Sequence, residues 1–442
     1  MINPLSNALG PISATPFYPE FGLYNMRAGA ARAWDFNGWK PESLSWKKTC
    51  YIHAGLSGMG SRVTYRGPEA ARFLASICTN GFEKFRVGTV KHAVFCTHEG
   101  LIATHGVLQR KAEDEFCLFA AGLWVPFQYS RSSFDVEQVF DDCFIMQVAG
   151  PNSLATLRQA TGEDLTDIAF LRYRESRIAG RDVLIMRVGM AGTLAYEVQG
   201  PMSEAAEVYQ AIFEAGQNFG IQRLGWKTYG VNHVEGGFPQ QSWTFLGAFN
   251  ALPEFTEFAN GGETQRHMPA FYTGSIDPSN KRARFRTPVE VGWESSVKLD
   301  HEFLGRDAVE AELASPARTI VTLEWNSDDV MDVYASHFRG EGEDFSYLGM
   351  PTAPEFRQNT GHADEVMLGG RRVGISSSAV YSYHFRKVIS HCTIDRDAAA
   401  IGTDLVVRWG EYGGRIKDIR AKVGRFPYLS EGRNQAVDVR TS

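Results

Sequence analysis

The chain has 442 residues, with 45 basic and 51 acidic side chains and a net charge of −6. No block of like charge suits a nucleic-acid backbone, and no apolar run of about 18 residues suits a helical membrane span. Its length exceeds one ordinary core, so two or three packed units are expected.

Residues 1–40 hold Pro16, Phe17, Tyr18, Phe21, Tyr24, Trp34, Phe36 and Trp39. That is too aromatic for disorder and too broken by proline for one helix, so an aromatic arm packed over the body is expected, as core filling or as a cover for an active site. The first residues show no basic and apolar export signal, which points to the cytoplasm. Six cysteines lie scattered among apolar neighbours without Cys-x-x-Cys spacing. Buried free thiols are expected, and no metal site.

Ser45–Ile52 introduces a first unit, and Ser61–Tyr65 alternates as a strand does. Gly67-Pro68 then starts a helix through Ala70, Phe73, Leu74 and Ile77. Residues 90–97 and 101–108 read as a hairpin, and Glu115–Ala120 as a third strand. Phe144–Val148, Gly150-Pro151 and a helix carrying Leu154 and Leu157 repeat the pattern, which predicts an internal α+β pseudo-repeat. Glu204–Gly220 is amphipathic, with Val208, Ile212, Ala215 and Phe219 at helical steps and Gly220 as its cap. Leu252–Asn260 suits a short helix. The polar stretch Gly261–Arg286 reads equally as a surface excursion or a lid. From Arg318 onward the hydrophobic period shortens to two, with strands at Thr319–Trp325, Arg372–Ser376, Val388–Ile394, Asp404–Trp409 and Ile416–Lys422.

The densest stretch is Gly225–Pro239, glycine-rich yet carrying Trp226, Tyr229, His233, Glu235 and Phe238. On composition alone it is either a glycine-rich connection or a place where backbone approaches a ligand. Its pattern Gly-x-x-x-Tyr-x-x-Asn-x-x-Glu-x-Gly-Phe-Pro resembles the aminomethyltransferase (glycine-cleavage T-protein) superfamily, and most closely its tetrahydrofolate-dependent aromatic O-demethylases. Gly189–Pro201, Val291–Ala308, Val321–Asp329 and Tyr381–Asp395 fit the same resemblance.

The resemblance implies an α+β fold of the T-protein type. Two pseudo-repeated units (about 41–140 and 141–315) would surround a folate site after the arm of residues 1–40, and an all-β, barrel-like domain would fill 316–442. It implies tetrahydrofolate as methyl acceptor, an aromatic methyl ether as partner, and no metal. Glu197 would accept the pterin's N–H groups, since a carboxylate offers paired acceptors in one plane. Phe238, Phe119, Gln147 and Gly189 would complete that pocket. Tyr229 takes the place of the catalytic tyrosine, where a phenol of pKa ~10 suits a phenolate leaving group.

Two departures stand out. His105 replaces an aspartate common in the superfamily; it can hold a proton but supplies no fixed charge, which disfavours aminomethyl transfer. Ala121 stands where the vanillate enzyme has an arginine, so a methoxybenzoate-type substrate, halogenated or not, would need Tyr24, His53, His105 or Arg27 instead. The alternatives are transfer from a sulfonium or a glycine-cleavage carrier, or folate binding without catalysis.

Overall fold

The computed structural model describes residues 23–27, 30–55, 62–261, 270–353 and 359–440, with side chains from residue 33 onward. Two antiparallel-rich sheets carry the body. In the first, the order is Thr89–Cys96, Ile102–Arg110, Glu115–Phe119, Arg62–Arg66, Glu137–Asp141; in the second, Tyr173–Ile178, Arg181–Met186, Ala195–Pro201, Cys143–Ala149, Cys50–His53, Ile221–Arg223. The first four positions follow one plan: a strand, a Gly-Pro turn, a helix, then three strands that return to the starting strand. The expected pseudo-repeat is thus visible as topology. Both turn glycines are needed. Gly67 and Gly150 have φ of 133° and 126°, and a Cβ would lie 2.8 Å from Asp135 O and 2.5 Å from Thr49 O.

Sequence reading set Ser45–Ile52 at the head of the first unit. Its strand, Cys50–His53, lies in the second sheet, antiparallel to Cys143–Ala149 and parallel to Ile221–Arg223. One face of this sheet buries Ile52, Met146, Val148, Tyr196 and Val198 with Leu154, Leu157, Val208 and Ile212 of the helices Ser153–Thr161 and Ala205–Ala215. The predicted helix through Glu204–Gly220 is shorter, ending in a 3-10 turn at Gln217–Phe219 with Gly220 left-handed.

The opposite face is covered by the helix Trp226–Gly236, so the glycine-rich stretch is an α-helix and not a connection. Gly225 opens it, with its N–H on Glu42 Oε2 at 3.0 Å, and Gly237 closes it at φ 65°. Lys227 alone of its residues is not buried. With every other face covered, the sequence shows no apolar stripe, which hid the helix.

Six strands form a closed barrel in the order Arg318–Trp325, Lys387–Asp395, Arg371–Ser382, Asp364–Leu368, Asp404–Trp409, Lys417–Gly424. The region is not all-β. The helix Ser327–Ser336 follows its first strand, capped by the Asn326 side chain, which accepts from Asp328 N and Asp329 N at 3.1 Å each.

The stretch before the barrel, of undecided role in the sequence, is anchored inward over its described residues. Arg284 and Arg286 are fully buried, and Arg284 donates to the carbonyls of Thr273, Ile276, Asp277, Asn280 and Gly361. Arg286 donates to Thr393 Oγ1 and to the carbonyls of Ala283 and Phe285. Carbonyl oxygens thus satisfy cations that composition would place at a surface.

Candidate active site

The covered face of the second sheet is built by period-two placement. Gln147 stands directly between Glu197 on one neighbouring strand and His53 on the other. Directly opposed residues share a face, and so do residues two apart, so Tyr51, His53, Gln147, Ala195 and Glu197 all point the same way. The helix Trp226–Gly236 closes over them. The Tyr229 ring stacks on His53 with centroids 4.0 Å apart at 12°, and Asn232 Nδ2 donates to Tyr51 Oη at 3.0 Å. Tyr51 Oη in turn donates to Gln147 Oε1.

Glu197 is fully buried, and its Oε2 has no hydrogen-bond partner among the described residues. Burial pushes its carboxyl up to about 8, with Gln147 opposing that shift. Tyr229 is likewise buried, and its Oη lacks a partner among the described residues. Burial first, then Tyr51 and Glu197, hold its hydroxyl well above the usual phenol range. The expected match to a phenol of ordinary pKa therefore fails: Tyr229 stays protonated and is a hydrogen-bond donor. Gly189 is required beside this nest, because a Cβ there would lie 2.3 Å from Ala195 Cβ and 3.4 Å from Gln147 Nε2.

The first sheet contributes a face of its own. His92 and His105 are diagonal neighbours on adjacent strands, and His92 Nε2 meets His105 Nδ1 at 3.1 Å. The Gln241 N–H donates to His105 Nε2 at 3.4 Å. A backbone N–H can only donate, so neutral His105 carries its proton on Nδ1 and gives it to His92. Burial lowers His92 to about 4 and holds His105 well below the usual imidazole range, with His92 and His233 adding to the latter. Phe238 lies 5.8 Å from both the His105 and Trp293 rings and 5.9 Å from His233. His233, four residues after Tyr229 on the helix, meets the Tyr229 ring at 4.8 Å. Rings thus run without a break from His105 through Phe238 and His233 to Tyr229 and His53.

Most residues singled out in the sequence converge here. Glu197, Gln147, His53 and Tyr229 form the nest with Gly189 at its edge; Phe238 lies one ring away, through His233, and His105 two. Phe119 is buried in the same core as Tyr51, Met186 and Tyr229. Tyr24 sits opposite Ala33 in the strand Leu23–Arg27, but its side chain lies outside the described part, as does that of Arg27. Tyr51, Asn232, His92 and His233 were given no role beforehand. The signal for Tyr51 was its two-residue spacing from His53 on a strand.

All six cysteines are free, five of them buried. Among the described residues, no group of three or more potential metal ligands occurs, and no helix is long and apolar enough to cross a membrane.

The family described as "GCVT N-terminal domain" matches residues 26–244. The sesamin methylene transferase of Sinomonas sp. is 39% identical over 417 residues, covering 92% of each chain. The syringate O-demethylase of Sphingobium sp. is 28% identical over 428 residues, covering 91% of each. The glycine cleavage system aminomethyltransferase T of Bartonella henselae shares the fold, with a TM-score of 0.66, 16% identity and 98% of each chain covered. The chain therefore belongs to the aminomethyltransferase (glycine-cleavage T-protein) superfamily of folate-dependent transferases, alongside its tetrahydrofolate-dependent aromatic O-demethylases.

Proposed function

We propose that this protein moves a one-carbon group from an aryl ether oxygen to tetrahydrofolate, releasing a phenol. The observation that carries the reading is Glu197: a fully buried carboxyl with an oxygen that has no partner among the described residues, beside a tyrosine hydroxyl that likewise has none there. An acceptor of that kind fits the paired N–H donors of a pterin. Tetrahydrofolate, when bound, supplies N5 as the acceptor of the carbon.

The protein's residues then align and stabilise. Glu197 and Gln147 hold the pterin edge, and Phe238 and Phe119 give it apolar faces. Tyr229 donates a hydrogen bond to the ether oxygen as charge develops there, and His53 keeps its ring in place. His105 can hold a proton only by giving up its longer contact, the one to Gln241. For a methyl ether, the O–CH3 bond breaks, the methyl joins N5, and the proton lost from N5 balances the one gained by the phenol. Tyr24 and His53 are the proposed contacts to the arene.

A second reading is favoured by the relative named for methylene transfer. An aryl methylenedioxy bridge would give up its CH2 to two folate nitrogens, and their two protons would complete a catechol. Anaerobic incubation of protein and tetrahydrofolate with methoxy- and methylenedioxyarenes separates these outcomes. 5-Methyltetrahydrofolate plus a phenol supports the first, and the 5,10-methylene form plus a catechol the second. Turnover only with oxygen or NADH would defeat both.

A further inference from the structure

Tyr51 ties the helix to the sheet at the centre of this site. It is fully buried on the strand Cys50–His53, with the Trp46 ring edge-on at 6.2 Å. Its hydroxyl accepts from Asn232 Nδ2 at 3.0 Å and donates to Gln147 Oε1. A phenol has one proton to give, and an amide nitrogen can only donate, so the two bonds have a fixed direction. With Oε1 committed to Tyr51, the amide nitrogen of Gln147 is left for the other side. Glu197 stands there, directly across the strand pair, and Gly189 packs beside that nitrogen, where a Cβ would come 3.4 Å from it and 2.3 Å from Ala195 Cβ.

Building on the function proposed above, we infer that Tyr51 is a positioning residue for the cofactor site. It holds Gln147 with its N–H2 on the Glu197 side, where Gln147 Nε2 and Glu197 Oε2 both lack a hydrogen-bond partner among the described residues, so that a donor and an acceptor stand side by side for the ligand. A reversed amide would set oxygen against oxygen. No cationic side chain forms an ion pair with Glu197 among the described residues, so that reversal would leave an ionised Glu197 facing a second acceptor with nothing to offset it. Tyr51 itself need not touch the ligand.

The test is a double-mutant cycle read by calorimetric binding of tetrahydrofolate to wild type, Tyr51→Phe, Gln147→Leu and the double variant. Tyr51→Phe is expected to weaken binding about tenfold, and to weaken it no further once Gln147→Leu is present. In ligand-free protein, the Glu197 carboxyl band, assigned by infrared difference against Glu197→Gln, should titrate at higher pH in Tyr51→Phe. A mere packing role would move neither the band nor the non-additivity.

Unchanged affinity in Tyr51→Phe, or additive losses in the double variant, would overturn the inference. If Tyr51→Phe does not fold, Asn232→Leu leaves the phenol in place and removes only its donor. It should give a smaller loss of the same sign, and no loss would overturn the inference equally. Glu197→Gln distinguishes the two levels. Wild-type affinity in that variant defeats the pterin site itself, whereas weakened binding there with none in Tyr51→Phe defeats only the role of Tyr51.

Discussion

Two glutamates lie buried beside one helix and are treated in opposite ways. Glu235, near the end of Trp226–Gly236, has each carboxylate oxygen engaged. Lys47 Nζ sits 2.6 Å and Trp46 Nε1 3.0 Å from Oε2, while Ser382 Oγ donates to Oε1 at 2.5 Å. Those partners come from the helix Trp39–Lys48 and from a barrel strand, so Glu235 locks body to barrel. Glu197, on the sheet under the same helix, has an amide opposite it and one oxygen with no described partner. A buried charge that is fully paired belongs to the architecture. One left open is a cost the fold carries, and a ligand can relieve it.

The comparison breaks most readily at Lys47. Lys47→Met leaves Glu235 as an uncompensated charge and should cost ~3–5 kcal/mol of stability in urea unfolding. Folate affinity of the remaining folded protein should stay within about twofold. A loss under ~1 kcal/mol would mean that the pair is no brace.

Tyr229 sharpens the other side. Its Oη has no described partner to lose, so Tyr229→Phe should leave the melting temperature nearly unchanged. If it donates to the developing phenolate, kcat should fall ~10²-fold. A large drop in stability with intact kcat would reverse the assignment.

Glu197→Gln should weaken tetrahydrofolate binding by ~1–3 kcal/mol, measured by calorimetry. Its effect on ligand-free stability carries a sign. The folded carboxyl is raised from 4.5 to about 8, so the folded state holds the proton more tightly than the unfolded chain. The Glu197 contribution is then complete below about pH 4.5 and is lost as pH rises through about 8. Glutamine should flatten that decline and make the ligand-free protein relatively more stable at pH 8. A steeper decline in the variant would contradict burial as the cause.

Much of this was legible because the relevant pieces are local. The two strand, Gly-Pro, helix units were visible from spacing, whereas Glu197 and Gln147 were named through the resemblance, and the strand register that sets them side by side is seen only in the structure. Three things were hidden by contacts between distant segments. Cys50–His53 crosses to the second sheet, which no pattern in the first 60 residues encodes. Arg284 and Arg286 look like surface charges until the carbonyls around them are known. The helix Trp226–Gly236 lost its stripe because it is buried almost all round. The helix Ser327–Ser336 is different, since Asn326 followed by Asp328 and Asp329 is an N-cap signature that could have been read.

A third buried carboxyl tests how far the comparison extends. Glu42 has no cation among the described residues, but three backbone N–H groups reach it: Phe36 at 2.9 Å and Asn37 at 3.2 Å on Oε1, and Gly225 at 3.0 Å on Oε2. Burial nevertheless outweighs these donors and raises it to about 7. It therefore stands between Glu235 and Glu197: satisfied in hydrogen bonds, uncompensated in charge. Glutamine can accept at only one of the two positions, so Glu42→Gln should cost about 1 kcal/mol, the loss of one cap-like bond at the start of the helix Trp226–Gly236. The sign with pH follows from the raised value. Wild type loses the Glu42 contribution between about pH 4.5 and about 7, whereas glutamine does not titrate, so the cost of the substitution should shrink from pH 5 to pH 8. Urea midpoints of both proteins at the two pH values measure it. A cost that grows with pH would show that three N–H groups suffice to hold a buried carboxylate charged, and that Glu197 is open for want of donors rather than for want of a cation.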